Sequence, residues 1–317
     1  MLRPRPLPEI LAQGPFSYAE AVLAQVPRSR LNASDLLRPH RGLYVPARPA
    51  LDVIARSEHL RPLLSADQLF SHLTAARIWG MPLPAYELED EPLHVLSIAD
   101  SAPMRREGVV GWETEGADIP RGMRGGLPVV SPGVVWTQLA VPGALGRAVG
   151  SAYRRGLSAE WLVAVGDYLV SGRRQNGSRH PLCTVADLRA ALTRHRGKRG
   201  AKALSLAIDQ IRRPVDSSQE TFLRLGLVAH GLPEPEVQLP VMTADGLRHA
   251  DLGYREARVL LEYQGDHHRV DRGQWLEDLR RVQLFQDAGY RPMLVGAKDL
   301  GDGLPALAAR VRRALSA

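Results

Sequence analysis

The sequence is poor in cysteine, in long apolar runs and in any segment resembling an export signal, and each shortage removes a class of protein. One cysteine, Cys183, in 317 residues excludes an internal disulfide framework and any zinc centre built on paired cysteines. No stretch approaches the roughly 18 continuous apolar residues of a membrane helix, so no membrane partner is expected although 44% of residues are hydrophobic. Prolines interrupt MLRPRPLPEILAQG before an apolar run of signal length develops, and the expected location is cytoplasmic.

What is present is length and positive charge. The chain exceeds the common single-domain size, which predicts two or three compact units, each with its own core. Lys and Arg outnumber Asp and Glu by 41 to 34, and a net charge of +7 suits a polyanionic partner, with nucleic acid first among them.

Residues 7–46 read as short helical pieces, PEILAQG, SYAEAVLAQV with Ser17 as N-cap, and SRLNASDLLRPH, before the chain turns extended at RGLYVP. Helices followed by a short strand are the order of a winged helix-turn-helix, with Arg28, Arg30, Arg38 and Arg41 available to DNA phosphates and Arg28 to Leu37 as the groove-facing segment. A small helical cap with solvated arginines is the alternative. Residues 49–171 read as a mixed α/β domain, with a helix over SADQLFSHLTAARIWG and His72 as a core histidine. Residues 172–215 form a basic helical connector whose run of eleven cations, Arg174, Arg196, Lys198 and Arg199 among them, is opposed by Asp187 and Asp209 and reads either as a surface that tracks DNA phosphates or as a solvated helix face.

From residue 216 the pattern predicts the order α-β-β-β-α-β-α. A helix is capped at Ser217, the strands EVQLPVMT and LRHADLGY flank a turn, RVLLEYQG follows as a central strand, and a helix, a strand and a last helix complete the unit. If Tyr254 to Ala257 form the second turn, Gly253 faces Arg258 and Asp251 faces Leu260. Glu262 then lies diagonally on the face of Asp251, with Gln264 beside it. Two carboxylates so placed can share Mg²⁺ or Mn²⁺, which clamps a phosphodiester and generates hydroxide for in-line attack. Glu220 is either part of this site or simply the acid of the Ser217-x-x-Glu220 capping box.

The segment Ser217 to Leu300, with "HADLGY", "LLEYQGDHHR", "QWLEDLRRVQLFQDAGYRPMLV" and "KDL", resembles the Vsr-like domain of unknown function in the PD-(D/E)XK nuclease superfamily. The resemblance implies a restriction-endonuclease-like core over 216–317, with Asp251 and Glu262 at the acidic, metal-binding positions, Glu220 as accessory acid and His268 at the motif histidine. The superfamily's usual lysine position falls on Gln264, whose amide offers a carbonyl but no charge. More loosely, "RGLYVP", "SHLTAARIWGMPLP" and "SPGVVWTQLA" resemble the AbiEi-type antitoxin or transcriptional-regulator region, which implies a winged helix over 1–48 and DNA as partner. The expected function is that of a DNA-binding protein with a metal-dependent endonuclease domain. The alternative is a DNA-binding regulator or antitoxin, with a cognate toxin or a second copy as partner, whose nuclease fold is inactive.

Overall fold

The structure is a computed structural model that describes residues 7–12, 14–33, 36–46, 52–84, 91–99, 101–114, 118–143, 156–175, 178–265 and 272–316. It is a mixed α/β protein of several sheets that divides into two compact units, residues 1–157 with 190–202, and residues 158–189 with 203–317. No helix among the described residues is long and apolar enough to cross a membrane.

The first unit opens with α1 (Glu9–Ala12), β1 (Phe16–Ser17) and α2 (Tyr18–Leu23), whose Ser17 and Glu20 close a reciprocal capping box. The helix expected next is replaced by one 3₁₀ turn, Arg30–Asn32, and a short strand, β2 (Leu36–Leu37), that pairs with β3 (Leu43–Pro46). Tertiary pairing decides against helix here: Leu31 and Leu36 are buried beside Phe16 and Ala21, and Arg38 donates to the carbonyl of Leu31 to hold the turn. The strand order of this small sheet is β1-β3-β2.

After α3 (Val53–Leu60), the helix expected from Ser65 begins only at His72. Gln68–Phe70 is instead β4, inserted between two strands from later in the chain, and α4 runs His72–Trp79. β5 (Leu93–Ser97), β6 (Val109–Glu113), β7 (Arg121–Arg124) and β8 (Leu127–Val130) complete a five-stranded sheet of order β6-β5-β4-β8-β7, followed by α5 (Pro132–Leu139). His72 is a buried core histidine stacked on Trp112 at 3.9 Å between ring centroids, and burial holds its pKa well below the ordinary value.

The second unit begins with α6 (Ala159–Ser171), a hairpin of β9 (Arg173–Gln175) and β10 (Ser178–His180), and α7 (Val185–Arg194), whose last turn belongs to the first unit. α8 (Ala201–Ile208) and α9 (Ser218–Ala229) follow, so the segment 172–215 is a hairpin and two helices rather than helical throughout. A four-stranded sheet of order β11-β12-β13-β14 is built from β11 (Glu236–Thr243), β12 (Gly246–Tyr254), β13 (Val259–Gln264) and β14 (Arg291–Gly296). Its first two pairings are antiparallel and β13–β14 is parallel, joined by the crossover helix α10 (Arg272–Asp287). A short α11 (Ala297–Leu300) precedes the last helix, α12 (Leu304–Leu315). Leu223, Leu252, Leu261, Val295 and Val311 join α9 and α12 to one face of the sheet, while Leu239, Leu260 and Phe285 join α10 to the other. Helices on both faces explain why β13 reads VLL before its first polar residue.

Candidate active site

The site lies where the buried part of that sheet ends. Arg255–Arg258 form the turn between β12 and β13, one residue later than expected, and Gly253 pairs with Leu260 instead of facing Arg258. Leu252 pairs with Leu261, so the next step outward sets Asp251 directly opposite Glu262 rather than diagonal to it. There the carboxylates take over the ladder. The Asp251 N–H donates to Glu262 Oε1 at 3.2 Å and the Tyr263 N–H donates to Asp251 Oδ2 at 2.8 Å. Val237 pairs with Leu252 and Leu239 with Ala250, which brings Gln238 to the level of Asp251 on the third strand, at a left-handed φ of 48°.

Glu220 reaches this row from α9. Ser217 caps the helix by accepting the Glu220 N–H, and its hydroxyl donates to Glu220 Oε1 at 2.8 Å. The second oxygen accepts the Asp216 N–H at 3.2 Å and Gln238 Nε2 at 3.0 Å, so the side chain links the helix start to the sheet. Its neighbourhood is more than a cap. Burial pushes the Glu220 carboxyl up to about 7, against the hydrogen bonds from Ser217, Asp216 and Gln238. Burial, then the charges of Glu220 and Glu262, hold Asp251 well above the carboxylate range. Glu262 is raised by burial too, in spite of Arg281, whose Nε donates to Glu262 Oε2 at 2.5 Å.

A cleft of about 510 Å³ opens over these groups, lined by Asp251, Glu262, Gln264, Gln238, Arg281 and Arg174 among others. The structure therefore gathers Asp251, Glu262 and Gln264 in one cleft, with Glu220 behind Gln238. His268 lies outside the described residues. The arginines and lysine assigned to DNA, namely Arg28, Arg30, Arg38, Arg41, Arg196, Lys198 and Arg199, belong to the first unit, and none lines the cleft. Arg38 is engaged by Leu31 and by the Tyr44 ring, and Arg28 lies over Tyr18, whereas Arg41, Arg196, Lys198 and Arg199 are exposed. Cys183 is no alternative nucleophile, since burial pushes its thiol up to about 12.

Gln238 and Arg281 are the site residues that pattern reading missed, and Arg174 was read only as one cation of the 172–215 run. Only Gln238 left a signal, a polar side chain inside the otherwise apolar EVQLPV. Arg281 sits in a helix rich in charge and Arg174 in a loop-like basic run, where each looks like a solvated cation.

No family model matches the chain. Two Mycobacterium tuberculosis proteins, the uncharacterized proteins MT2308 and Rv2248, are each 27% identical to it over 134 residues, 42% of this chain. The matched stretch spans about half of each relative's length, 49%.

The raised carboxyl of Glu220 makes a stability prediction. A group whose pKa is higher folded than unfolded favours the folded state fully below its unfolded value, and that contribution is lost as pH rises through the folded value. Glu220 thus opposes folding increasingly between about pH 5 and 8, with its folded pKa near 7. Glu220→Gln keeps the shape without the charge. Thermal melts across that window are expected to fall less steeply for Glu220→Gln than for wild type, with the variant more stable at pH 8. Parallel slopes would show that Glu220 titrates normally.

Proposed function

We propose that the second unit is a metal-dependent phosphodiesterase acting on DNA. The observation that carries this reading is the facing pair Asp251 and Glu262 on adjacent strands, both with raised carboxyls, at the floor of an open cleft. Two adjacent acids that repel each other out of full solvent are relieved by a shared cation. An oxygen-only pair fits Mg²⁺ or Mn²⁺, since Mg²⁺ is commonly held by one or two carboxylates with waters and substrate phosphates completing its shell. Among the described residues no group of three or more His, Cys, Asp or Glu side chains could hold a metal, so waters and phosphate oxygens would have to complete the shell of an ion on this pair. The Vsr-like PD-(D/E)XK resemblance supports the same positions.

The divalent ion would polarise the phosphoryl oxygen and acidify a water. The remaining work falls to the chain. Asp251 and Glu262 would hold the ion, and the Tyr263 N–H orients Asp251 Oδ2. Gln264, on the Glu262 face of β13, accepts a hydrogen bond from the attacking water through its amide carbonyl. Glu220, whose carboxyl is pushed up to about 7, sits behind Gln238 and accepts its Nε2 at 3.0 Å, which holds that amide at the level of Asp251. The first unit supplies sequence-independent affinity through its exposed cations, in the role implied by the AbiEi-type resemblance. The test is cleavage of supercoiled plasmid and of labelled duplex and single-stranded DNA, with and without Mg²⁺ or Mn²⁺.

One observation favours a second reading, an inactive nuclease fold kept for DNA binding in a regulator or antitoxin with a cognate toxin or a second copy as partner. Arg281 already gives Glu262 a positive partner, at 2.5 Å, and neutralises part of the charge that would attract an ion. Gln264→Asp separates the two. A third anion in the cleft is expected to tighten Mg²⁺ binding by calorimetry about tenfold or more, using the outer-partner range as a floor. Cleavage by wild type and heat from Mg²⁺ binding support the active reading; neither signal in wild type, with binding gained only in Gln264→Asp, supports the inactive one.

A further inference from the structure

A hairpin outside the nuclease-like segment contributes to the same cleft. β9 and β10 pair antiparallel with Arg174 opposite Arg179, an arrangement in which like charges face each other across a ladder and destabilise it unless one is neutralised. Arg179 is neutralised: its guanidinium pairs with Asp216 at 2.6 Å and donates to the Val215 carbonyl at 3.3 Å. Asp216 in turn gives its N–H to Glu220. Arg174 has the opposite fate. It is exposed, lines the cleft, and no anionic partner for it is found among the described residues.

The hairpin's base is held firmly. Gly172, at φ +71°, lets the chain leave α6, and a Cβ there would sit 2.2 Å from the His180 carbonyl carbon. The Leu182 N–H donates to Leu169 at 2.9 Å, and the Val215 N–H to the Ser171 hydroxyl at 3.0 Å. One arginine is therefore consumed in anchoring the hairpin to the loop before Glu220, and the cross-strand arginine is presented, uncompensated, over a cleft whose floor carries acids. A partner that satisfies both ends must bring a cation to the Asp251–Glu262 end and an anion to Arg174. A phosphodiester backbone with a divalent ion on one phosphate does so, because its charges repeat along its length and the next phosphate is free for Arg174.

The geometry points to the β9–β10 hairpin as a DNA-backbone clamp, with Arg174 binding the phosphate next to the one that a divalent ion would bridge to the carboxylates and Arg179 acting as the anchor that positions it. This deepens the proposed DNA reading and rests on it. The test is fluorescence anisotropy of a labelled DNA duplex with the 317-residue chain, in Ca²⁺ and in parallel in EDTA, with the probe checked for integrity on a gel, over a salt series. Wild type is compared with Arg174→Ala, Arg174→Lys, and Arg313→Ala on the exposed face of the last helix, after thermal melts show equal folding. Arg174→Ala is expected to weaken binding across unrelated sequences and to reduce the slope of log affinity against log salt by about 1, with Arg174→Lys retaining the slope and Arg313→Ala matching wild type. A wild type that binds with an Arg174→Ala slope equal to its own overturns the clamp and leaves the DNA reading standing. A wild type that binds no duplex in either Ca²⁺ or EDTA overturns both.

Discussion

Asp251→Asn is expected to abolish Mg²⁺-dependent cleavage, by more than about 100-fold, which is the upper end of the loss for removing even an outer partner of a metal ligand. The fold should survive. Asp251 Oδ2 accepts the Tyr263 N–H at 2.8 Å, and an amide oxygen accepts that bond equally well. The substitution also removes a repelled charge from beside Glu220 and Glu262, so the variant should melt at or above the wild-type temperature at pH 7.5. Loss of activity with gain of stability is the signature of groups kept together for chemistry. Undiminished cleavage in Asp251→Asn would remove Asp251 from the mechanism; a large drop in melting temperature would make it a structural residue.

Arg224→Met is expected to destabilise the second unit by about 3–5 kcal/mol, the cost of breaking a buried ion pair from one side. Arg224 on α9 and Asp167 on α6 are 1% and 0% exposed at their side chains and lie 3.0 Å apart. Asp167 also accepts Thr221 Oγ1 at 2.8 Å and the Arg212 N–H at 2.6 Å, and Arg224 donates to the Gln210 carbonyl and to Glu234. Even so, burial pushes the Asp167 carboxyl up to about 6. Without Arg224 that charge has no cation at its side and must be protonated or hydrated. At about 2–4 °C per kcal/mol for a unit of this size, the melting temperature should fall by roughly 6–20 °C. The double variant Asp167→Leu/Arg224→Met removes both charges and should recover much of the loss. A single variant that melts within a degree or two of wild type would show the pair to be a bystander.

The second unit's element order from α9 to α12 was legible because its signals are local. Ser217 before an apolar periodicity makes a helix start, Gly289 ends one, and a continuous VLL flanked by turns makes a central strand. The shared face of Glu262 and Gln264 was legible for the same reason, since a strand's period of two puts them there whatever the register. The first unit was harder. Gln68–Phe70 lies between two strands distant in sequence, and Leu36–Leu37 is captured by β3, so helix-compatible sequences become strands.

Register and long-range electrostatics were decided only by the tertiary structure. Moving the β12–β13 turn to Arg255–Arg258 sets Asp251 face to face with Glu262, and a turn's position by one residue is beyond what local propensity resolves. Gln238 adopts a left-handed φ and meets Glu220 because a helix and a sheet edge close on it. Arg281, Arg174 and Arg179 are indistinguishable in sequence from their many basic neighbours. Which arginine pairs with Glu262, which anchors on Asp216 and which stays exposed over the cleft depends on where α10, the β9–β10 hairpin and the 215–217 loop meet in space. Composition and periodicity determine which segments must bury apolar surface, since hydrophobic transfer depends on area and is indifferent to partner. The choice of partner for each charge falls off with distance over a few ångströms, and only the folded chain sets those distances.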